Sequence, residues 1–230
     1  LSTGSGPWAK KGEGDMRITV LYDNTVHQAG PQSDWGFSCL VETLEEGRAP
    51  ILFDTGMKGS ILLANMEKLG IDPMFIKEVF ISHAHFDHVG GLSAFLTVNQ
   101  DVTIYVPHSI RGVQGISKVV SVSGPLEIHE NIFSTGELDS IEQSMAIRTE
   151  KGIVLITGCS HPGLARILAA ASQFGKVYAV IGGLHGFSEY ELFKDLSLIC
   201  PLHCTQHKRE LKTLYPEKYI DGGVGRIIVI

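Results

Sequence analysis

The stretch SHAHFDHVGG, residues 82–91, places three histidines and an aspartate within the six positions from His83 to His88. Imidazole nitrogen and carboxylate oxygen are donors that suit zinc, and also manganese or iron. His83 and His85, two apart, can leave one turn and converge on a single ion. Asp87 and His88 come half a helical turn later and point at a second ion nearby. Adjacent residues do not easily share one tetrahedral ion, so two pairs predict two metals. Six residues cannot complete either cage, and the rest of the chain has to bring further donors to the same place.

Apolar runs that stop at a histidine recur along the chain, in ISHAHFDH, ITGCSHPG, VIGGLHGF and PLHCTQH. A rigid sheet presents ligands at its rim in this way. Arg17–Tyr22, Phe37–Leu44, Ile51–Phe53, Glu78–Ile81, Val102–Val106, Lys118–Val122, Leu126–His129, Met145–Thr149, Ile153–Ile156, Val177–Ile181 and Ile227–Val229 read as strands bounded by turn residues. Helical spacing covers Ser60–Leu69, with Ser60 as a possible N-cap and Gly70 at the end, and then Val89–Leu96, Gly163–Phe174, Glu189–Ile199 and Thr205–Leu214. Strands and helices interleave without a linker or repeat. The reading is a single layered α/β domain over residues 16–230, sheet on sheet with helices outside. Leu1–Asp15, rich in Gly and Lys, reads as a leader or a cloning remnant and lacks the apolar stretch of a secretory signal.

Composition narrows the function classes. A chain of 230 residues that is 43% hydrophobic can bury a substantial core. Its 25 acidic against 19 basic residues argue against a nucleic-acid surface. No run approaches the length of a membrane span. Cys39, Cys159, Cys200 and Cys204 lack the spacing of a disulfide scaffold, so the expectation is a reduced, cytoplasmic protein.

The order His83-x-His85-x-Asp87-His88 resembles the signature of the metallo-β-lactamase fold superfamily, and LFDTG (Leu52–Gly56) resembles its other early motif. TVLYDN, WGFS, TGCSHPG, GGLH and HCT together resemble a narrower branch, which holds the archaeal dihydropterin-ribofuranosylaminobenzene 5′-phosphate synthases and metal-dependent hydrolases. The resemblance implies a four-layer αββα sandwich with the metals at one edge. It implies Asp54 behind the metals orienting a histidine, His161 as third ligand of the first metal beside His83 and His85, and His203 completing the second beside Asp87 and His88. Many relatives carry a bridging aspartate after such a Thr-Gly, and here Cys159 stands there. Either its thiolate bridges, or a water does so alone.

Other templates fit less well. Cys200, His203, Cys204 and His207 crowd four donors into one octapeptide, which would strain a structural zinc site. GCSHPG is not a Gly-x-Ser-x-Gly nucleophile turn, and GGVGR lies too late to open a helix. His27, His108 and His129 lack a glycine-rich loop, and His207 reads as a helix-surface residue. Asp23, Asn24 and Thr25 follow a strand end and can line a pocket. Trp35 can stack on a flat ring, whereas Phe37 reads as core.

The expected function is a metal-dependent hydrolase with two divalent ions, zinc first, iron or manganese as alternatives. Asp87 would orient the attacking water and His185 would bind substrate or donate a proton to the leaving group. The expected partner is a small molecule bearing a phosphate or carboxylate, with no nucleic acid and no membrane, and the oligomeric state is left open. Two rivals stand beside it. One is the synthase chemistry of the narrower branch, condensing a pterin alcohol ester with an aminobenzene ribose phosphate. The other is a non-catalytic metal-binding or redox protein.

Overall fold

The structure, a computed structural model, describes residues 16–43, 47–111 and 118–230. The leader expected over Leu1–Asp15 lies outside the described residues. The first half forms strands β1 (Met16–Tyr22), β2 (Ser38–Thr43), β3 (Ile51–Phe53), β4 (Glu78–Phe80), β5 (Thr103–Pro107) and β6 (Lys118–Val122). Helices α1 (Gly59–Lys68), α2 (Phe86–Val89) and α3 (Leu92–Val98) sit among them. The second half adds β7 (Leu126–His129), β8 (Ile132–Ser134), β9 (Met145–Thr149), β10 (Gly152–Thr157), β11 (Val177–Gly183), β12 (Leu198–Leu202) and β13 (Ile227–Val229), with α4 (Leu164–Ser172) and α5 (Lys208–Leu214).

These strands make two sheets. One is ordered β13-β1-β2-β3-β4-β5-β6 and the other β12-β11-β10-β9-β8-β7. The run from β3 to β6 is parallel, as is β10-β11-β12. Alternation along each strand sends successive side chains to opposite faces. Ile18, Val20, Phe53 and Phe80 therefore meet Ile147, Val154, Ile156 and Ile181 between the sheets. Leu21, Leu40, Leu52 and Val79 point the other way and pack on Leu62, Met66 and Phe95 of α1 and α3. Ile153, Leu155 and Val180 do the same against Leu164 and Ile167 of α4 and Leu211 of α5. The result is the expected αββα layering. Phe53 and Phe80, stacked at 5.3 Å, anchor the middle layer, and each such buried ring contributes about 1.5–3 kcal/mol.

Three local expectations are corrected. Helix α1 begins at Gly59 after Lys58, with no side-chain cap, so Ser60 lies inside the helix and is not its N-cap. The helix expected over Val89–Leu96 is split into α2 and α3 at Gly90 and Gly91. A Cβ there would come within 2.2 Å of the Met57 and Thr55 carbonyl oxygens. Glu189–Ile199 is not one helix: a 3-10 turn, Tyr190–Phe193, gives way to β12. Ile199 and Cys200 there pair with Val180 and Ile181 of β11, and sheet pairing overrides helical spacing. Strand β8, three residues long, is too short to show an alternation of its own in the sequence. Among the described residues no helix is long and apolar enough to cross a membrane.

Each strand that feeds the histidine loops ends at the same edge. Asp54 follows β3, His83 follows β4, Cys159 and His161 follow β10, His185 follows β11 and His203 follows β12. Asp23 and Asn24 join them from the end of β1.

Candidate metal centre

His83, His85 and His161 form a triangle of rings, with centroids 4.6 Å, 4.6 Å and 4.8 Å apart. The donor atoms of His83, His161 and Cys159 lie within 4.8 Å of one another. So do those of His88, His203 and Cys159, making the thiol common to both groups. Asp87 joins the second group, its Oδ2 3.0 Å from His203 Nε2 and 3.9 Å from His88 Nε2. His88 Nε2 lies 3.2 Å from Cys159 Sγ. Every residue singled out in the sequence as a metal donor is thus brought to one place, and His185 flanks it with its ring 5.1 Å from His161.

The hydrogen bonds behind these rings fix which nitrogen faces inward. Asp54, fully buried, accepts from the Ser82 backbone N–H at 2.7 Å and from the Ser82 hydroxyl at 2.6 Å. With its proton so engaged, Ser82 Oγ accepts from His83 Nδ1 at 2.9 Å. His88 Nδ1 donates to Asp54 Oδ2 at 2.7 Å, and His203 Nδ1 to Asn24 Oδ1 at 2.9 Å. In all three rings Nδ1 is engaged behind the ring, which turns Nε2 toward the centre. Asp54, the aspartate of LFDTG, thus lies behind the His88 ring.

His161 Nε2 is buried and has no hydrogen-bond partner. A polar atom left in that condition costs about 1–3 kcal/mol, a cost that bonding to an ion relieves. The donor set of imidazole, carboxylate and thiol fits a divalent ion of the zinc type.

Burial disfavours charge on several of these groups. Burial, with the repulsion of His88 and His161, drives His83 well below the usual imidazole range. Burial and then His85 and His185 bring His161 down to about 4. Burial also lowers His88 and raises Asp54, disfavouring a separated charge pair. Burial opposes ionisation of Asp87, but the His203 hydrogen bond and the charges of His88 and His203 outweigh it and hold that carboxyl low.

Backbone strain concentrates at the same edge. Asp54, Ser160, His185 and His203 have φ of 52°, 62°, 48° and 44°. Left-handed conformations in residues other than glycine persist where surrounding structure holds them, and they cluster at functional sites. The loop after β10 is held by a residue that sequence reasoning missed. Glu142, fully buried, accepts from the backbone N–H of Gly158, Cys159 and Ser160 through Oε1 at 3.1, 2.9 and 3.0 Å, and from His161 through Oε2 at 2.8 Å. Burial pushes its carboxyl up to about 7 against those donors. Nothing in the local sequence DSIEQS marks it. Trp35 does more than offer a ring: its Nε1–H donates to Asp87 Oδ2 at 2.9 Å. Phe37 is fully buried, as read. Cys200 lies in the core between the sheets.

The family model described as the metallo-beta-lactamase superfamily matches residues 36–124, which include the histidine motif. The 7,8-dihydropterin-6-methyl-4-(β-D-ribofuranosyl)-aminobenzene-5′-phosphate synthase of Methanocaldococcus jannaschii is 30% identical, over 85% of this chain and 90% of that protein. The chain belongs to the metallo-beta-lactamase superfamily. A crystal structure of a metal-dependent hydrolase of the same superfamily superposes with a TM-score of 0.70 at 26% identity, covering 94% of this chain and 99% of that one. Ribonuclease Z of Streptococcus equi is 28% identical over 70% of this chain but only 45% of its own length. Members of this superfamily typically hold divalent metals, which accords with the donors gathered here.

Proposed function

We propose that the protein is a metal-dependent hydrolase of a small phosphate- or carboxylate-bearing molecule. Two divalent ions, zinc first, would be held by His83, His85 and His161 and by Asp87, His88 and His203, with the Cys159 thiol within reach of both donor groups. The observation that carries this reading is the buried, unpartnered Nε2 of His161 beside His83, His85 and Cys159. When bound, such ions supply Lewis acidity and bring water's pKa down to about 7.

The chain's own residues do the rest. Asp87, oriented by Trp35, accepts a hydrogen bond from the attacking water. Asp54 and Asn24 hold His88 and His203 in the tautomer that leaves Nε2 free. His185, exposed on its glycine-rich loop, reaches the leaving group and gives it a proton. Trp35 and Phe86, 51% and 66% exposed at the rim, offer apolar surface for a substrate ring. The acidic balance of the chain supports a small molecule over RNA.

The 30% identity to a synthase supports a second reading, in which an arylamine takes the place of water as acceptor. Zinc-loaded protein given phosphate mono- and diesters and lactones separates the two. Product release without any acceptor, lost on chelation, supports the hydrolase. Turnover that appears only when an arylamine is added contradicts it and supports transfer.

A further inference from the structure

Cys159 belongs to a third donor group, whose other sulfur, that of Cys204, has no part in the proposed reaction. The Cys159 sulfur, the sulfur of Cys204 and a ring nitrogen of His185 all lie within 4.8 Å of one another. Cys204 is partly exposed and His185 is exposed, so the group opens to solvent, whereas Cys39 and Cys200 are fully buried in the core. Gly183 makes room for it. A Cβ there would stand 2.8 Å from Cys204 Sγ and 3.2 Å from the Cys159 Cα, so a side chain would displace the thiol. His185 holds a left-handed φ of 48°, and Cys204 directly follows His203 at 44°. These two strained turns, after β11 and β12, place the imidazole and the second thiol beside the first.

Two thiolates and one imidazole form a soft donor set, suited to ions such as Zn²⁺ or Cd²⁺ with a fourth position left open. We propose that Cys159, Cys204 and His185 form a separate sulfur-rich ion site adjoining the histidine cage. It rests on the proposed function only in sharing Cys159 and His185. An ion seated there draws Cys159 away from His88 and occupies His185, so the site works as an inhibitory one for thiophilic metals.

Titration of reduced, metal-free protein with Cd²⁺, read by thiolate-to-cadmium absorption in the ultraviolet, tests this. Wild type should show the intensity of two Cd–S bonds. Cys204→Ser should show about half of it, and His85→Ala should keep all of it. His185→Asn, a change on an exposed loop, should keep both sulfur bonds and weaken Cd²⁺ binding about tenfold or more. Full intensity in Cys204→Ser, or loss of the sulfur band in His85→Ala, would overturn the site. Failure of the hydrolase reading shows separately, as a lack of acceptor-free turnover in zinc-loaded wild type.

Discussion

The Trp35 indole donates to Asp87 Oδ2, the same carboxylate oxygen that lies 3.0 Å from His203 Nε2. An exposed aromatic side chain thus aims the carboxylate of the second donor group. Trp35→Phe keeps the ring and removes the donor. It should weaken the second ion's binding about 10- to 100-fold and leave the first unchanged. Competition with a chromophoric chelator measures both affinities, and equal loss at the two positions would contradict this role.

His161 and His185 look alike in sequence, each following an apolar strand and a glycine. The structure separates them: His161 Nε2 is buried without a partner, whereas His185 is exposed on its loop. His161→Ala should cost zinc occupancy. In a Cys204→Ser background, where the sulfur-rich site is disabled, His185→Ala should keep zinc near its parent's level and lower turnover by about 100-fold through the loss of proton transfer. Zinc content of the two purified variants decides, and the opposite pattern would reverse the assignment.

Stability of the metal-free protein should carry the signature of His161. Its imidazole is brought down from 6.5 to about 4 by burial and the charges of His85 and His185. Between those values the unfolded chain takes up a proton that the folded chain refuses, so this contribution falls as pH falls. Glu142, raised to about 7, acts in the opposite sense in an overlapping window. The difference between wild type and His161→Gln isolates the histidine. That difference in unfolding free energy should decline as pH drops through the window, and a flat difference would contradict it.

Glu142 ties down four consecutive backbone N–H groups of the loop carrying Cys159 and His161. Glu142→Ala strands all four, and at about 1–3 kcal/mol for each buried donor the loss approaches the whole stability of a domain. Glu142→Gln keeps one carbonyl acceptor but turns an amide N–H₂ toward a donor. It should fold with a lower melting temperature and bind zinc less tightly. Unchanged melting and zinc affinity in the glutamine variant would remove Glu142 from the centre.

The layering and the histidine edge were legible because their signals are local. Alternating apolar residues declare a strand face, and His83 to His88 carry four donors in six positions. Partners joined only by the fold were not. Asn24 meets His203 across 179 positions, and Glu142 reaches Cys159 across 17. Glu142 has no pattern around it, since its role depends on where the loop after β10 happens to return. Cys204 was read with Cys200 and His207, its neighbours in sequence, but its spatial neighbours are Cys159 and His185. The helix expected over Glu189–Ile199 failed for a related reason, because pairing with β11 decides the end of that segment.

Two ions held by one cluster of histidines is the central claim, and zinc stoichiometry addresses it most directly. Metal-free Cys204→Ser protein, in which the sulfur-rich site is disabled, is titrated with zinc and the bound metal counted after gel filtration. The account predicts two equivalents, bound with unequal affinity, the tighter at His83, His85 and His161. A plateau at one equivalent under saturating zinc would contradict it.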